Sequence, residues 1–288
     1  MKRLVLVDGH AVLHRAYHAL PKTLTTKKGK PINAVYGFTR MLFKVFADLE
    51  PTYLVVTFDL PEPTFRHKLF SEYQATRPKL DDELVSQIEP THEVIKAFDI
   101  PIYEVAGFEA DDIIGTLALR ALIPKRKTES IEVVIVTGDK DMFQLIDQKT
   151  KVYVLKKGIS GGELVDEKRA EEILGVEPSQ LVDYKALVGD PSDNYPGVEG
   201  IGPKTAKKLI REFGSLEKII KKLKKEGRKK AVLSQKLAQI KRDVPIKFDL
   251  EESKLDYDKE KVRQIFEKFR FNSLMKELEK KEEQMKLL

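Results

Sequence analysis

Short apolar runs alternate with amphipathic stretches through the first 160 residues of this 288-residue chain. The amphipathic stretches, for example residues 34–49 and 83–98, place apolar residues at i, i+3 and i+4, which is typical of helices with one buried face. The apolar runs are predicted strands over residues 3–7, 53–58, 102–105, 132–137 and 151–155. Strands that alternate with helices predict an α/β fold, in which helices flank both faces of a mostly parallel central sheet.

The strand pattern fades after about residue 166, and helical periodicity dominates the rest of the chain. We predict helices over residues 167–174, 178–188, 203–213, 215–225, 229–243 and 259–269, followed by a charged helix or frayed tail over 277–288. Two domains are therefore predicted, an acidic α/β domain over residues 1–165 and a helical domain over residues 166–288.

Carboxylates occur where a parallel sheet would present them together. Asp8, Asp59 and Asp139 end, or nearly end, three of the apolar runs. Ligands of open parallel sheets bind beyond the carboxyl ends of the strands, so these acids are expected at one edge. The full candidate set is Asp8, Asp59, Glu109, Asp111, Asp112, Asp139, Asp141, Asp190 and Asp193. So many carboxylates cannot stay ionised together without cations, and oxygen ligands of this kind suit Mg²⁺.

Each acid taken alone also has a structural explanation. An aspartate that follows a strand often caps a helix or forms a turn, which would account for Asp8 and Asp59. Residues 109–112 open a predicted helix, whose dipole favours negative charge, although three acids exceed what capping requires. Asp190 and Asp193 would fit a plain loop equally well. A shared metal site is the interpretation that explains all of them at once.

Residues 60–83 are too long for an ordinary connection, and they follow directly after Asp59. Basic and aromatic residues are interleaved in this segment: Phe65, Arg66, Lys68, Phe70, Tyr73, Arg77 and Lys79. Phosphates of a single strand meet charge while its bases stack on rings, so the pattern indicates a binding loop or lid for single-stranded nucleic acid. The alternative is a surface helix with its aromatic side chains in the core.

A glycine-rich segment, GVEGIGPKTAKKLI, spans residues 197–210. Its glycines permit a tight hairpin, and Pro203 suits the first turn of a helix. This is the helix–hairpin–helix pattern, predicted here at about residues 186–212, which holds a phosphate backbone without reading bases. The candidate DNA-binding residues are Gly197, Gly200, Gly202, Lys204, Thr205, Lys207 and Lys208. A helix-connecting turn without a ligand is the alternative.

Charge and composition narrow the class of protein further. The net charge is +6, and residues 203–230 hold twelve Lys or Arg against three Glu, a local excess of +9 that is either a polyanion-binding flank or a solvated helix face. Cysteine is absent, which excludes disulfides and thiolate–metal sites. We find neither a signal-peptide pattern nor an apolar stretch near the roughly 18 residues of a membrane span. A cytoplasmic protein without membrane contact is therefore expected.

Several motifs together resemble one known family. LVDGHAVLHRAYHALP, FEADDIIGTLA, VTGDKDMFQL and VGDPSDNYPGVEGIGPKTA are similar to segments of the 5′-nuclease (flap endonuclease) family. The match is closest to the 5′–3′ exonuclease domain of bacterial DNA polymerase I, and it runs from about residue 4 to residue 278. The resemblance implies a PIN-like or resolvase-like fold and hydrolysis of phosphodiester bonds at 5′ ends and flap junctions, in primer removal and DNA repair.

The same resemblance implies roles for the candidate residues. Two Mg²⁺ ions, for which Mn²⁺ can substitute, would be held by Asp8, Asp59, Glu109, Asp111 and Asp112 in one cluster, and by Asp139, Asp141, Asp190 and Asp193 in the other. Residues 60–83 would form a helical arch over a 5′ single strand, with DNA contacts from Arg66, Lys68, Tyr73 and Arg77, the last also catalytic. K⁺ binding at the hairpin carbonyls is left open.

The resemblance also bears on partners and alternatives. It implies a monomer that binds flap, nicked or branched DNA and RNA primer ends, with a separate DNA polymerase as a candidate partner. One departure stands out, because Gln74 occupies the position where the family usually has an arch lysine. Two rivals are a sequence- or structure-selective RNase on a similar acidic α/β core, and a catalytically silent DNA-junction binder. The basic hairpin argues against the first, and the complete set of acids argues against the second.

Overall fold

A six-stranded sheet forms the centre of the molecule in a computed structural model, which describes residues 1–26, 28–123, 130–156, 158 and 161–286, the side chains of 280–286 excepted. Its strands are β1 (Lys2–Asp8), β2 (Tyr53–Thr57), β3 (Ile102–Tyr103), β4 (Ile131–Thr137), β5 (Thr150–Leu155) and β6 (Gly162–Val165). Their spatial order is β3-β2-β1-β4-β5-β6, and only the β5–β6 pair is antiparallel. The predicted mostly parallel sheet is confirmed. The edge strand β6 is an addition that the sequence pattern does not predict.

The register of the central strands fixes where they end. β2 and β4 are buried along their whole length, as expected for strands covered on both faces. Asp8 of β1 lies beside Thr57 of β2, and Val7 lies beside Val136 of β4. The last residues of three neighbouring parallel strands therefore meet at one edge of the sheet.

Helices cover the sheet on both faces. Those of the first half are α1 (Gly9–Ala19), α2 (Asn33–Leu49), α3 (Phe65–Leu69), α4 (Asp82–Val85), α5 (Ile88–Ala97) and α6 (Ala110–Ala121), and a 3₁₀ helix spans Lys140–Leu145. Successive β1 side chains point to opposite faces, so Val5 joins the core beneath α1, α2 and α5, while Leu4 joins the core beneath α6. The predicted helix over residues 83–98 is interrupted between α4 and α5.

The second half is mainly helical. Its elements are α7 (Glu167–Leu174), a 3₁₀ helix (Pro178–Gln180), α8 (Leu181–Val188), β7 (Gly189–Asp190), β8 (Tyr195–Pro196), α9 (Pro203–Phe213), α10 (Leu216–Ile220), α11 (Lys225–Ala238), a 3₁₀ helix (Glu251–Ser253), α12 (Lys259–Phe269) and α13 (Asn272–Lys286). α8, α9, α10 and α11 share a core of their own. Phe266 of α12 and Leu274 of α13 instead pack into the core of the sheet. The division of the chain at about residue 165 stays a prediction. No helix in the described ranges is both long and apolar enough to cross a membrane.

Two leucines of α6 lie on opposite faces of the helix, and substituting each one shows which face stabilises the fold. Leu117 is fully buried in the core beneath α6, whereas Leu119 is 39% exposed. We expect Leu117→Ala to lower the free energy of unfolding by about 2–5 kcal/mol, because it leaves a cavity in a packed core. Leu119→Ala is the matched control on the same helix, with an expected change within about 0.5 kcal/mol. Urea unfolding of both variants measures the difference, and equal losses would contradict the packing described.

Candidate metal and nucleic-acid site

Asp8 is the most buried of the strand-end acids. One of its carboxylate oxygens accepts a hydrogen bond from Ala11 N at 2.9 Å, so the side chain caps α1, and the other accepts one from Thr137 Oγ1 at 2.8 Å. The side chain thereby joins the ends of β1 and β4. Burial raises the pKa of Asp8 to about 7, with smaller contributions from the charges of Asp59 and Asp139. A carboxyl with so high a pKa is poised to gain from a nearby cation.

Asp59 extends the same edge from β2 toward α6. Its Oδ1 accepts a hydrogen bond from Ala110 N at 2.7 Å, at the first residue of α6. Its own backbone N–H donates to His10 Nδ1 at 3.0 Å. An acid that follows β2 therefore helps to place the start of α6 against the edge of the sheet.

The first turn of α6 adds two more carboxyls to this edge. Burial raises the pKa of Glu109, the residue before the helix, to about 7, although the Arg66 charge opposes the shift. Burial also raises the pKa of Asp111 well above its ordinary value, and the charges of Asp139 and Asp8 add to the effect. These mutual effects show that the structure brings together the acids of the first group: Asp8, Asp59, Glu109, Asp111 and Asp139.

Asp112 and Arg66 require a correction. Both were predicted to serve ligands, one a metal and the other DNA, but they bind each other in the interior. Arg66 Nη1 and Nη2 lie 2.7 and 2.9 Å from the two Asp112 oxygens, and the residues are 2% and 0% exposed. The guanidinium also donates to the carbonyl of Leu237 in the last turn of α11 and to that of Gln239 just after the helix. Both side chains are thus fully engaged, which removes Arg66 from the DNA-contacting set and makes Asp112 a partner of Arg66.

Asp141, Asp190 and Asp193 form a second group, whose carboxylate oxygens lie within 4.8 Å of one another. The Lys185 ammonium donates to Asp190 Oδ2 at 2.5 Å and to Asp141 Oδ2 in a shorter contact. Burial raises the pKa of Asp141 to about 6. Burial opposes ionisation of Asp190 as well, but hydrogen bonds from Lys185 and Ser192 outweigh it and lower the pKa of Asp190.

Asp139 links the two groups. It follows β4 by two residues, and its Oδ1 accepts a hydrogen bond from Asp141 N at 2.8 Å. The charge of Asp139 raises the pKa of Asp8 and Asp111 on one side and that of Asp141 on the other. The two groups of acids are therefore adjacent parts of one site.

The segment between β2 and α4 bends back over the second group. Gln74 donates from its backbone N–H to Asp193 O at 2.9 Å and from Nε2 to Asp193 Oδ1 at 3.0 Å, and exposed Arg77 reaches the same oxygen at 3.3 Å. The prediction that Tyr73 offers its ring to DNA needs correction, because Tyr73 is 3% exposed and packs against Tyr195. In the predicted arch, residues 60–83, helix is confined to α3 and the first two residues of α4, and Lys68 and Arg77 are exposed.

The glycine-rich turn presents backbone and lysines to the surface. Val198 N donates to Leu187 O at 2.7 Å, and a Cβ on Gly197 would lie 2.4 Å from that same carbonyl, so the turn requires glycine there. Gly200 has a φ of +80°, which also favours glycine. The exposed residues of the predicted set are Gly200, Gly202, Lys204, Thr205 and Lys208. Lys207 is half-buried, with its ammonium 5.8 Å from the centre of the Tyr184 ring.

The donor set suits a hard divalent cation. Every candidate ligand in both groups is a carboxylate oxygen, the ligand that Mg²⁺, Ca²⁺ and Mn²⁺ prefer. Because the pKa values of Asp8, Glu109 and Asp141 are raised, a nearby positive charge would favour the ionised form of each carboxyl. Lys185 supplies such a charge to the second group. The residues present therefore fit divalent metal ions.

Comparisons with known proteins assign the fold and the site to a family. The model of the 5′-3′ exonuclease N-terminal resolvase-like domain matches residues 3–175, and that of the 5′-3′ exonuclease C-terminal SAM fold matches residues 176–261. The chain belongs to the 5′–3′ exonuclease family. It is 39% identical over 288 residues to the 5′-3′ exonuclease of Aquifex aeolicus, covering 97% of this chain and 96% of that one.

Longer relatives and solved structures agree with this family. The chain is 43% identical over 290 residues to DNA polymerase I of Bacillus caldotenax, covering 96% of this chain but 32% of the polymerase. It thus spans about a third of the length of the polymerase relatives it matches. A bacteriophage T5 flap endonuclease complex with DNA and metal ions has a TM-score of 0.65, at 21% identity over 82% of this chain and 86% of that one. Flap endonuclease-1 from Methanococcus jannaschii has a TM-score of 0.60, at 18% identity over 96% and 90%. These structures share the fold, and the predicted fold and family are confirmed.

Lys185 and Tyr195 lie within the site, yet neither is a sequence-predicted residue. Lys185 is the one basic residue of α8, whose sequence LVDYKALV is otherwise mainly apolar, and it lies five residues before Asp190. That contrast is the only sequence clue that could have identified it. Tyr195 is 3% exposed and lies in β8 among apolar neighbours, so nothing in the sequence sets its hydroxyl apart.

Removing Arg66 should destabilise the protein strongly. We expect Arg66→Met to lower the free energy of unfolding by about 3–5 kcal/mol, because Asp112 is left buried without its cation. The double variant Arg66→Met/Asp112→Leu should recover part of the loss. Arg77→Met, which removes an exposed arginine, is the control, with an expected loss below about 1 kcal/mol. Urea unfolding compares the four proteins, and a small loss for Arg66→Met would refute the assigned role of the pair.

Stability in EDTA should fall as the pH rises through neutrality. The folded-state pKa of Asp8, about 7, exceeds the ordinary value of 3.8, so folded protein binds this proton more tightly than unfolded protein does. Its stabilising contribution is complete below pH 4 and is lost as the pH rises to about 7. Asp8→Asn should match the wild type at about pH 3.5 and exceed its stability by about 4 kcal/mol at pH 8. Denaturant unfolding across this pH range checks the difference, and parallel curves would contradict it.

Proposed function

We propose that the protein is a structure-specific 5′ nuclease, a 5′–3′ exonuclease and flap endonuclease that hydrolyses phosphodiester bonds with two divalent metal ions. Mg²⁺ is the proposed cofactor, and Mn²⁺ would substitute. The observation that carries the proposal is the meeting of the two acid groups through Asp139, beside a segment that exposes Arg77 and Lys68. Acids bind the metals, and the basic segment meets the nucleic-acid backbone.

Divalent cations held by these carboxylates would lower the pKa of a bound water and stabilise charge on the scissile phosphate. The ligands would be Asp8, Asp59, Glu109, Asp111 and Asp139 in the first group, joined by Asp141, Asp190 and Asp193 in the second. Asp112 would act on the first group through Glu109, because its carboxylate accepts a hydrogen bond from the Glu109 backbone N–H at 3.1 Å. This assignment keeps all predicted acids near the chemistry but gives Asp112 an indirect part.

Arg77 would leave Asp193 and turn to the phosphate when DNA enters. Its exposed guanidinium holds Asp193 Oδ1 at 3.3 Å, a contact of modest strength. Gln74, where the family usually has lysine, donates to the same oxygen and carries no charge. Phosphate neutralisation on this side would therefore rest on Arg77, with Lys68 near by in the same segment.

The helical half would hold duplex DNA by its backbone. The turn at Gly200 and Gly202 exposes main chain, Lys204 and Lys208 lie beside it, and residues 203–230 carry a local excess of +9. The proposed substrates are flap, nicked and branched DNA and RNA primer ends, in replication and repair. A monomer that works beside a DNA polymerase, with K⁺ at the hairpin carbonyls, completes the proposal.

The silent DNA-binder and the RNase are the competing functions. A silent relative would gain nothing from carboxyls whose pKa values are raised to about 7, because burying them costs stability. The longer relatives are DNA polymerases, and the T5 flap endonuclease of the same fold is in complex with DNA, which favours DNA over RNA as the substrate class. Only the nuclease uses both the two groups of acids and the exposed basic residues that would contact DNA.

Cleavage of a 5′-labelled flap duplex tests the proposal. We expect Mg²⁺-dependent cutting at the junction, with little cutting of a matched single strand or blunt duplex. Asp139→Asn should lower the cleavage rate at least about 10³-fold, because the shared acid of both groups loses its charge. Flap binding, measured by fluorescence anisotropy, should stay within a few-fold of the wild type.

Asp99→Asn is the matched control for that experiment. Asp99 pairs with exposed Lys261 at 2.9 Å, away from the acid groups, so its cleavage rate should equal that of the wild type. Tight flap binding with no cutting in Mg²⁺ or Mn²⁺ would establish the silent binder instead. Equal loss of binding and cutting in Asp139→Asn would count against the catalytic assignment.

A further inference from the structure

We propose that Lys185 is a built-in competitor for the second metal position, and that the buried hydroxyl of Tyr195 receives its ammonium when a divalent ion binds. The inference rests on the proposed function, since it takes Asp141, Asp190 and Asp193 to be metal ligands. It adds a positioning pair that the proposed chemistry does not itself require. Both residues come from outside the predicted ligand set.

The first observation is the place of the Lys185 ammonium. It donates to Asp190 Oδ2 at 2.5 Å and to Asp141 Oδ2, and its side chain is 13% exposed. The same two carboxylates and Asp193 have oxygens within 4.8 Å of one another. A divalent ion ligated by these oxygens would have to take their bonds from Lys185. A doubly charged metal ion would then replace the singly charged ammonium at these oxygens.

The second observation is a buried polar atom that lacks a partner. The Tyr195 hydroxyl makes no hydrogen bond within the described part of the chain, although the residue is 3% exposed. Burial raises the pKa of the Tyr195 hydroxyl, and the charges that act on it are those of Lys185, Asp141, Asp190 and Asp193, so the hydroxyl lies beside the second group. A buried hydroxyl without a partner costs about 1–3 kcal/mol, which an incoming donor would recover.

These observations fit one exchange. Lys185 is a donor only, with three N–H groups, and the Tyr195 oxygen can accept from it. With the ammonium on the carboxylates, the acids are neutralised and the hydroxyl stays unsatisfied. With the ammonium on the hydroxyl, the carboxylates are free for a metal ion and the hydroxyl is satisfied. No proton has to be gained or lost in this exchange.

Gln74 and Arg77 cannot play the same part. From the segment between β2 and α4 they donate to Asp193, whereas Lys185 donates to Asp141 and Asp190. Arg77 is 56% exposed, so it can turn into solvent without a buried acceptor. Lys185, being nearly enclosed, needs an acceptor within the protein, and the Tyr195 hydroxyl is an unpartnered buried acceptor among the residues that the structure describes.

Mn²⁺ titrations without DNA, by calorimetry and electron paramagnetic resonance, test the exchange. Lys185→Met should strengthen the weaker Mn²⁺ site at least 10-fold, because the competitor is gone. Tyr195→Phe should weaken the same site several-fold, because the displaced ammonium loses its acceptor. Lys261→Met, which removes an exposed lysine paired with Asp99, is the control and should bind Mn²⁺ as the wild type does.

Thermal unfolding supplies a second measurement, because the unfolding temperature should fall in one variant but not in the other. In EDTA, Lys185→Met should unfold at a lower temperature than the wild type, because Asp141 and Asp190 lose their cation, and Mn²⁺ should raise its midpoint more. Tyr195→Phe should unfold at the same or a higher temperature in EDTA. Should Lys185→Met fail to fold in EDTA, Lys185→Gln provides the same comparison with a polar side chain.

The outcomes separate this inference from the proposed function. Unchanged or weaker Mn²⁺ binding in the Lys185 variants would overturn the competitor role while leaving flap cleavage and its metals intact. Unchanged Mn²⁺ binding in Tyr195→Phe would overturn the acceptor role. Absence of any Mn²⁺ binding by the wild type, with no metal-dependent cleavage, would instead remove the proposed function together with the inference.

Discussion

Repulsion between carboxylates at one edge of a parallel sheet is the constraint on which the rest of the structure depends. Burial raises the pKa values of Asp8 and Asp111, and the negative charge of Asp139 raises both further. Such an arrangement survives only if other segments supply donors and cations. Thr137 and Ala11 supply donors to Asp8, while Lys185 supplies a cation to the second group.

The donors come from segments distant in sequence, so the site also organises the fold. Lys185 on α8 reaches Asp141 after β4, and Arg66 on α3 reaches Asp112 on α6. Gln74, in the segment between β2 and α4, donates a hydrogen bond to Asp193. The acids therefore act as the points to which the arch segment and the helical half are fastened. A metal ion that bound one of these carboxylates would replace its hydrogen bonds to Lys185 or Gln74 and so loosen the contact between the segments.

Periodicity and charge predicted the sheet, its parallel sense and the meeting of the acids, because strand ends in a parallel sheet share an edge. They did not predict β6, which is four residues long and begins at the second glycine of the Gly161–Gly162 pair. They also misassigned Arg66 and Tyr73, since basic and aromatic residues in a long connection have the composition of a binding loop whether or not they are buried. Burial of Arg66 depends on Asp112, Leu237 and Gln239, whose proximity only the folded chain shows.

Arg66 has a geometric consequence for the position of a cut. Its guanidinium bonds Asp112 beside the acids and the Leu237 carbonyl, 171 residues away in sequence, at the end of α11. The helices around the glycine turn are thereby held at a fixed offset from the edge of the sheet. If the glycine turn holds duplex DNA as proposed, the molecule would act as a ruler, because the distance between that turn and the acids is set before DNA arrives. A cut placed by such a ruler would fall at a constant number of base pairs from the point of attachment, whatever the sequence between them.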